Sequence, residues 1–321
     1  MNQEKPQVLA VEAHGLVKVF GENRAVDGVD LIVPQGVIYG VLGPNGAGKS
    51  TVINMLATLL NADGGSAKIF GHDVFAHPQV VRQLIGVTGQ SATVDELLSA
   101  TENLTIFGRL LGLSHTAATR RADELLEEFD LQDAARKSLS KFSGGMRRRL
   151  DLAASLIVQP PLIFLDEPTT GLDPRTRNQL WETIRRLVRT GSTIVLTTQY
   201  LEEADQLADR IALIDHGRVV IEGTPDELKA AAGVTTLHLA LTSEEDADSA
   251  KQVVEELLGV VAIKTGPMNI SAPMTDPDSI TDLLITIRNS RLHLAEVSVQ
   301  KPSLDEVFLA LTGTQNIQEG N

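Results

Sequence analysis

Before residue 90 the apolar positions come in short runs broken by Gly, Asn, Asp or Pro, the rhythm of strands between turns. Residues 8–13, 15–20 and 29–33 read as strands. Val37-Ile38-Tyr39-Gly40-Val41-Leu42 is short, apolar and β-branched, as a buried strand should be. Residues 51–60 switch to helical spacing, and 66–70 and 84–88 return to strands about a Gly71-His72-Asp73 turn. From 91 to about 140 the period is helical, through Leu97, Leu98, Leu104, Phe107, Leu110 and Leu111, then Ala122, Leu125, Leu126 and Phe129. That stretch predicts an inserted helical lobe.

Phe142-Ser143-Gly144-Gly145-Met146 then opens a helix expected over 147–158. The apolar run Leu162-Ile163-Phe164-Leu165 reads as a buried strand ending in Asp166-Glu167-Pro168. A turn over 169–174 leads to a helix at 175–189, with Leu180, Ile184, Leu187 and Val188 inward, and 193–198 is a further buried strand ending in Gln199. Residues 211–215 and 218–222 flank His216-Gly217 as a hairpin. Thr224-Pro225-Asp226-Glu227 is a capping box with Pro at the first helical position, and it closes the first domain.

The tail repeats strand and helix patterns in the order β-α-β-β-α-β over 234–241, 246–258, 260–264, 269–273, 279–289 and 292–299. This order is compatible with a small ferredoxin-like α+β domain. Ser303 and Glu306 form a capping box for a last helix carrying Leu304, Val307, Phe308 and Leu311. Two domains are expected, 1–230 and 231–321, because single cores stop growing near ~250–300 residues.

Composition narrows the partners. The 321 residues carry a formal net charge of −14 and only 3% aromatics, a poor match for phosphodiester backbones or base stacking, so no nucleic-acid partner is expected. No apolar run approaches the roughly 18–20 residues that a bilayer crossing needs. The polar start Met1-Asn2-Gln3-Glu4-Lys5 has no signal-peptide core, so a soluble chain is expected. The lack of cysteine rules out disulfides and thiolate metal sites.

Gly43-Pro44-Asn45-Gly46-Ala47-Gly48-Lys49-Ser50-Thr51 matches G-x-x-x-x-G-K-[ST] in full, between the predicted strand and helix that the motif requires. Its glycines let backbone N–H groups converge on phosphate oxygens, with the positive end of the following helix behind them. Lys49 supplies a mobile charge for the β- and γ-phosphates, and the Ser50 hydroxyl suits Mg²⁺. Asp166 suits the outer sphere of that Mg²⁺, and Glu167 suits orientation or deprotonation of attacking water. Phe20, upstream of the loop, suits stacking on adenine as well as a place at the edge of the core. Gln90 is a loop amide able to offer an oxygen to Mg²⁺, or simply a polar loop residue. Ser143-Gly144-Gly145 is a second anion-binding helix start, although one nucleotide does not need both from one subunit. Arg147-Arg148-Arg149 reads as a solvated face with ion pairing.

Taken in order, these residues resemble the ATP-binding-cassette (ABC) ATPases across about 8–230. The matching motifs are the phosphate loop at 43–50, the glutamine loop at Gln90, the signature at 142–146, the second Walker motif at 162–166 followed by Glu167, and the D-loop Gly171-Leu172-Asp173. The resemblance implies a P-loop α/β cassette: a RecA-like core, an antiparallel β subdomain and a helical subdomain at about 91–158. It also implies ATP with Mg²⁺ held between two copies, each phosphate loop completed by the other copy's Ser143, Gly144 and Gly145, with Asp173 beside the nucleotide. Glu167, Lys49 and the residue in the switch position then form the catalytic set. Here Gln199 stands where the family has histidine; it hydrogen-bonds but carries no proton or positive charge. The signature departs as well, with Phe142 and Met146 in place of Leu and Gln.

Gln199, the run 143–153 and the tail motif Pro302-Ser303-Leu304-Asp305-Glu306-Val307-Phe308-Leu309 resemble the daunorubicin-resistance branch of bacterial exporters. That branch implies a separate integral-membrane permease, a place on the cytoplasmic side of the membrane, and export of a drug, antibiotic or lipid. The rival readings are a soluble non-transport cassette ATPase and an importer ATPase with a regulatory tail.

Overall fold

The computed structural model describes residues 8–88, 94–232, 235–274, 276, 278–300, 302–305 and 307–308. The chain divides into two units, Met1–Pro225 and Asp226–Asn321.

The first unit starts with β1 (Leu9–Phe20) and β2 (Asn23–Pro34), paired antiparallel. Where the pattern predicts two strands over 8–20 there is one, because Gly15 takes φ 58° and absorbs a register slip without ending the pairing. Next come β3 (Ile38–Leu42), buried throughout, and α1 (Lys49–Leu56). They are followed by β4 (Gly64–Ile69), β5 (His72–Asp73), α2 (Pro78–Leu84) and β6 (Ile85–Thr88).

The helical lobe holds α3 (Ala100–Leu110), α4 (His115–Glu128) and α5 (Gly144–Ser155). Ser99 and Glu102 close a full capping box on α3. Then follow β7 (Leu162–Asp166), α6 (Pro174–Arg189), β8 (Thr193–Thr198), α7 (Leu201–Leu207), β9 (Arg210–Asp215) and β10 (Arg218–Gly223), and α8 (Pro225–Ala232) starts at the unit's last residue and continues into the second unit.

Two sheets result. One is antiparallel, in the order β2-β1-β4-β5; the other runs β10-β9-β3-β8-β7-β6, parallel except for β10. This is the P-loop α/β architecture that the motifs predict. One apolar core lies between α1 and the sheets, around Tyr39, Ile53, Leu56 and Phe164. A second joins the lobe to the far face of the parallel sheet, through Leu104, Leu125, Leu126, Leu150 and Ile184. Leu97, Leu110 and Leu111, part of the lobe's apolar pattern, are exposed instead, with Leu97 at 86% and Leu110 at 76%. Among the described residues no helix is long and apolar enough to cross a membrane.

The second unit contains β11 (Thr236–Leu241), α9 (Ala247–Leu258), β12 (Ile263–Gly266), β13 (Asn269–Pro273), α10 (Ser279–Asn289) and β14 (Leu294–Gln300). Its sheet, β12-β13-β11-β14, is antiparallel throughout, the split βαβ order of a ferredoxin-like domain. Leu237, Leu239, Val254, Ile270, Leu283 and Ile287 form its own core. The capping box expected at Ser303 and Glu306 falls partly outside the described residues, as does Leu311.

Candidate functional site

Strand register builds the site. Leu42 at the end of β3 stands level with Thr198 of β8, and Asp166 at the end of β7 with Thr197. The loop after β3, Glu167 after β7 and Gln199 after β8 therefore leave one carboxyl edge of the sheet, where open α/β sheets place ligands.

The loop after β3 is braced by backbone. The Gly217 N–H donates to Ala47 O at 2.9 Å, and the Asp27 N–H to Gly217 O at 2.8 Å. Gly43 and Gly48 take φ 156° and 106°, and a Cβ on them would stand 2.1 Å from Ile214 O and 2.4 Å from Ala25 O. Only glycine lets the loop lie this close to β9 and β2. Gly48 is the N-cap of α1 and no side chain caps that helix, so its first N–H groups are turned to the loop's hollow. The helix begins at Lys49, before the apolar spacing alone predicts, because the glycine cap starts it inside the loop.

A cavity of about 410 Å³ opens there, lined by Phe20, Asn23, Ala25, Asn45, Gly46, Gly48, Lys49, Ser50, Thr51 and Glu167. Lys49 is only 4% exposed, and its ammonium donates to Gly43 O at 2.8 Å and Pro44 O at 2.9 Å. Burial pulls its pKa below the ordinary lysine value, while Glu167 and Asp166 oppose the shift. A cation resting on two carbonyls beside uncapped helical N–H groups fits a polyphosphate.

The carboxylates are set by hydroxyls. Asp166 Oδ1 accepts from Ser50 Oγ at 3.0 Å and from Thr197 Oγ1 at 2.5 Å. Glu167 Oε1 lies 4.0 Å from Lys49 Nζ, and Oε2 accepts from Thr170 Oγ1 at 3.3 Å. The Glu167 backbone takes φ 47°, a left-handed conformation costing about 1–3 kcal/mol for such a residue. Its N–H is held by Thr197, by the carbonyl and the hydroxyl, each at 3.1 Å. Ser50 and Asp166 together are hard oxygen donors of the kind Mg²⁺ takes alongside substrate phosphates.

The other expected residues stand elsewhere. Ser143 caps α5, its Oγ accepting from the Met146 N–H at 3.3 Å, which starts the helix at Gly144 rather than Arg147. Ser143 and Gly144 are exposed, and Gly144 lines a second cavity, about 550 Å³, that Glu167 also borders. Asp173 caps α6, with Oδ1 accepting from Thr176 N–H at 3.0 Å and Oδ2 from Thr176 Oγ1 at 2.7 Å. These bonds hold its pKa below the usual carboxylate value. Gln199 is half-buried directly after β8, and Gln90 lies outside the described residues.

The family model for ABC transporters matches residues 26–170. The daunorubicin/doxorubicin resistance ATP-binding protein DrrA of Streptomyces peucetius is 55% identical over 305 residues, covering 95% of this chain and 92% of its own. The chain belongs to the ABC transporter ATP-binding proteins. Nod factor export ATP-binding protein I of a Rhizobium species is 36% identical, over 96% of this chain and 98% of its own. A post-hydrolysis dimer of an ATP-binding cassette with ADP and Pi is 27% identical at TM-score 0.61, over 67% of this chain and 98% of that one. Within the family the chain sits with the daunorubicin-resistance proteins, and it is an ATP-binding ATP hydrolase of the ABC type.

Two residues of this ABC ATPase escape sequence reasoning. Arg148, read as part of a solvated face, turns inward: Nε donates to Pro168 O at 3.0 Å and Nη2 to Asp166 O at 2.9 Å. Arg149 likewise donates to Phe129 O at 2.9 Å, and Arg147 pairs with Glu96 at 2.6 Å. Consecutive helical positions point about 100° apart, so on a helix packed on several sides three arginines cannot share one face. Glu203 on α7 is buried, and its Oε1 accepts from Trp181 Nε1 of α6 at 3.2 Å. Burial pushes its pKa above the ordinary carboxylate value, against the Thr198, Thr169 and Trp181 side chains and the charge of Arg177. A doubled glutamate in a charged stretch gives no sign of which member is inside.

Proposed function

We propose that the chain is the ATPase subunit of an exporter, in which two copies close head to tail on two ATP molecules and drive a separate integral-membrane permease from the cytoplasmic side. The observation that carries the dimer is the exposed, serine-capped start of α5. It is built for an anion, yet the cavity around Lys49 is lined by other residues. A second copy, facing the first, brings Ser143, Gly144 and Gly145 to the γ-phosphate over Lys49, with Asp173 near the same seam.

Within each site Lys49 leaves its carbonyls for the β- and γ-phosphates, the N–H groups at 46–51 cradle them, and Phe20 stacks on adenine. Ser50, Asp166 and Gln90 would hold Mg²⁺, which when bound neutralises charge on the phosphate oxygens. Glu167 orients and deprotonates the attacking water. Gln199 hydrogen-bonds the γ-phosphate or Glu167 without titrating. The adjacent, exposed Leu110 and Leu111 at the end of α3 suit a permease contact. The relatives' activities, daunorubicin/doxorubicin resistance and Nod factor export, favour outward transport of a drug, antibiotic or lipid.

Mixed dimers test the composite site. Lys49→Ala and Ser143→Arg chains should each be inactive alone, and mixing them should restore up to about half of the parental rate per mixed dimer, or about a quarter for a one-to-one mixture that pairs at random, because each mixed dimer holds one complete site. Phosphate release measures this. Failure to recover activity, or loss of ATP binding by isolated Ser143→Arg chains, would sink the head-to-tail arrangement.

A further inference from the structure

Glu167 holds a backbone conformation that must be imposed from outside, since a non-glycine residue at φ 47° persists only where its surroundings over-determine it. From one side β8 does this, through Thr197 on the Glu167 N–H. From the other, the Arg148 guanidinium takes the carbonyls immediately before and after it, Asp166 O at 2.9 Å and Pro168 O at 3.0 Å. Two donors of one rigid plane thus bracket one residue. Partial burial pulls Arg148 below its ordinary pKa, while Asp151, Asp166, Glu203 and Glu167 oppose the shift and hold its charge.

We propose that Arg148 is a positioning residue for ATP hydrolysis, fixing the backbone on both sides of Glu167 and so the place of its carboxylate. The inference rests on the reading of Glu167 as the group that handles the attacking water. Because α5 begins at the Ser143 cap, the helix that would reach the partner's nucleotide is also the one that holds this chain's own carboxylate.

The test compares full-length variants by ATP affinity and single-turnover hydrolysis. Arg148→Ala should bind ATP within about twofold of the parent yet hydrolyse it about 30- to 100-fold more slowly, the scale of a small misplacement of a reacting group. Arg148→Lys keeps the charge but not the fork, and should stay within about fivefold of Arg148→Ala. In the Glu167→Gln background, adding Arg148→Ala should change the residual rate by less than about twofold, because the two changes remove one function. Unchanged hydrolysis in Arg148→Ala, full rescue by lysine, or additive loss in the double variant each overturns the proposal. Loss of ATP binding in parallel with hydrolysis would make Arg148 a brace of the fold and overturn it too. Near-normal turnover in Glu167→Gln alone removes the parent reading instead; an inactive Glu167→Gln beside an active Arg148→Ala removes only this inference.

Discussion

Glu167→Gln is expected to bind ATP as tightly as the parent chain and to hydrolyse it about 10²- to 10⁴-fold more slowly, the range that general-base catalysis contributes. The substitution keeps shape and backbone. Thr170 Oγ1 can still donate to the amide oxygen, and the N–H bonds to Thr197 do not involve the side chain. What disappears is the carboxylate's basicity, 4.0 Å from Lys49 Nζ at the mouth of the cradle. On the proposed reading the binding energy comes from the loop and α1, which the change leaves alone. Equilibrium binding of a fluorescent nucleotide beside phosphate release reads both quantities. Turnover within a few-fold of the parent would show that another group handles the water.

The second large effect is on binding itself. Gly48→Ala should abolish detectable ATP binding, whereas Gly46→Ala in the same loop should keep it within about 10- to 30-fold. Both residues have positive φ, 106° and 83°, so both pay the left-handed cost of roughly 1–2 kcal/mol. They differ in space. A Cβ at Gly46 meets nothing within 4 Å, while at Gly48 it would stand 2.4 Å from Ala25 O. That oxygen belongs to β2 and cannot swing aside like a side chain. The N-cap of α1 must then move, and the N–H groups at 49–51 move with it. Nucleotide titration with a thermal melt on each variant separates cradle damage from unfolding. Equal losses at the two glycines would mean that φ, not the contact, sets the effect.

Much of the architecture is legible in local spacing. The runs 37–42, 162–166 and 193–198 are apolar on both faces because helices cover both sides of a parallel sheet, and each became a strand at those residues or within one of them. Ferredoxin-like order in the second unit likewise follows from alternating segments and their turns. Helix starts were less legible. Both α1 and α5 begin earlier than their apolar periodicity, since glycine and serine caps, not hydrophobic positions, decide where the first turn forms. The exposed Leu97 and Leu110 were not separable from core leucines, because an exposed leucine and a buried one are the same residue in an apolar pattern.

By itself the sequence determined the phosphate loop, the acidic strand end, the family and the order of elements, all of which depend on residues close together in the chain. Only the tertiary structure decided that Gly48 lies against β2, that Ser50 meets Asp166, that Glu203 is inside, and that Arg148 spans the carbonyls around Glu167. Those contacts join residues from about twenty to more than a hundred positions apart, and their chemistry is carried largely by backbone oxygens, which every residue possesses and no residue type announces.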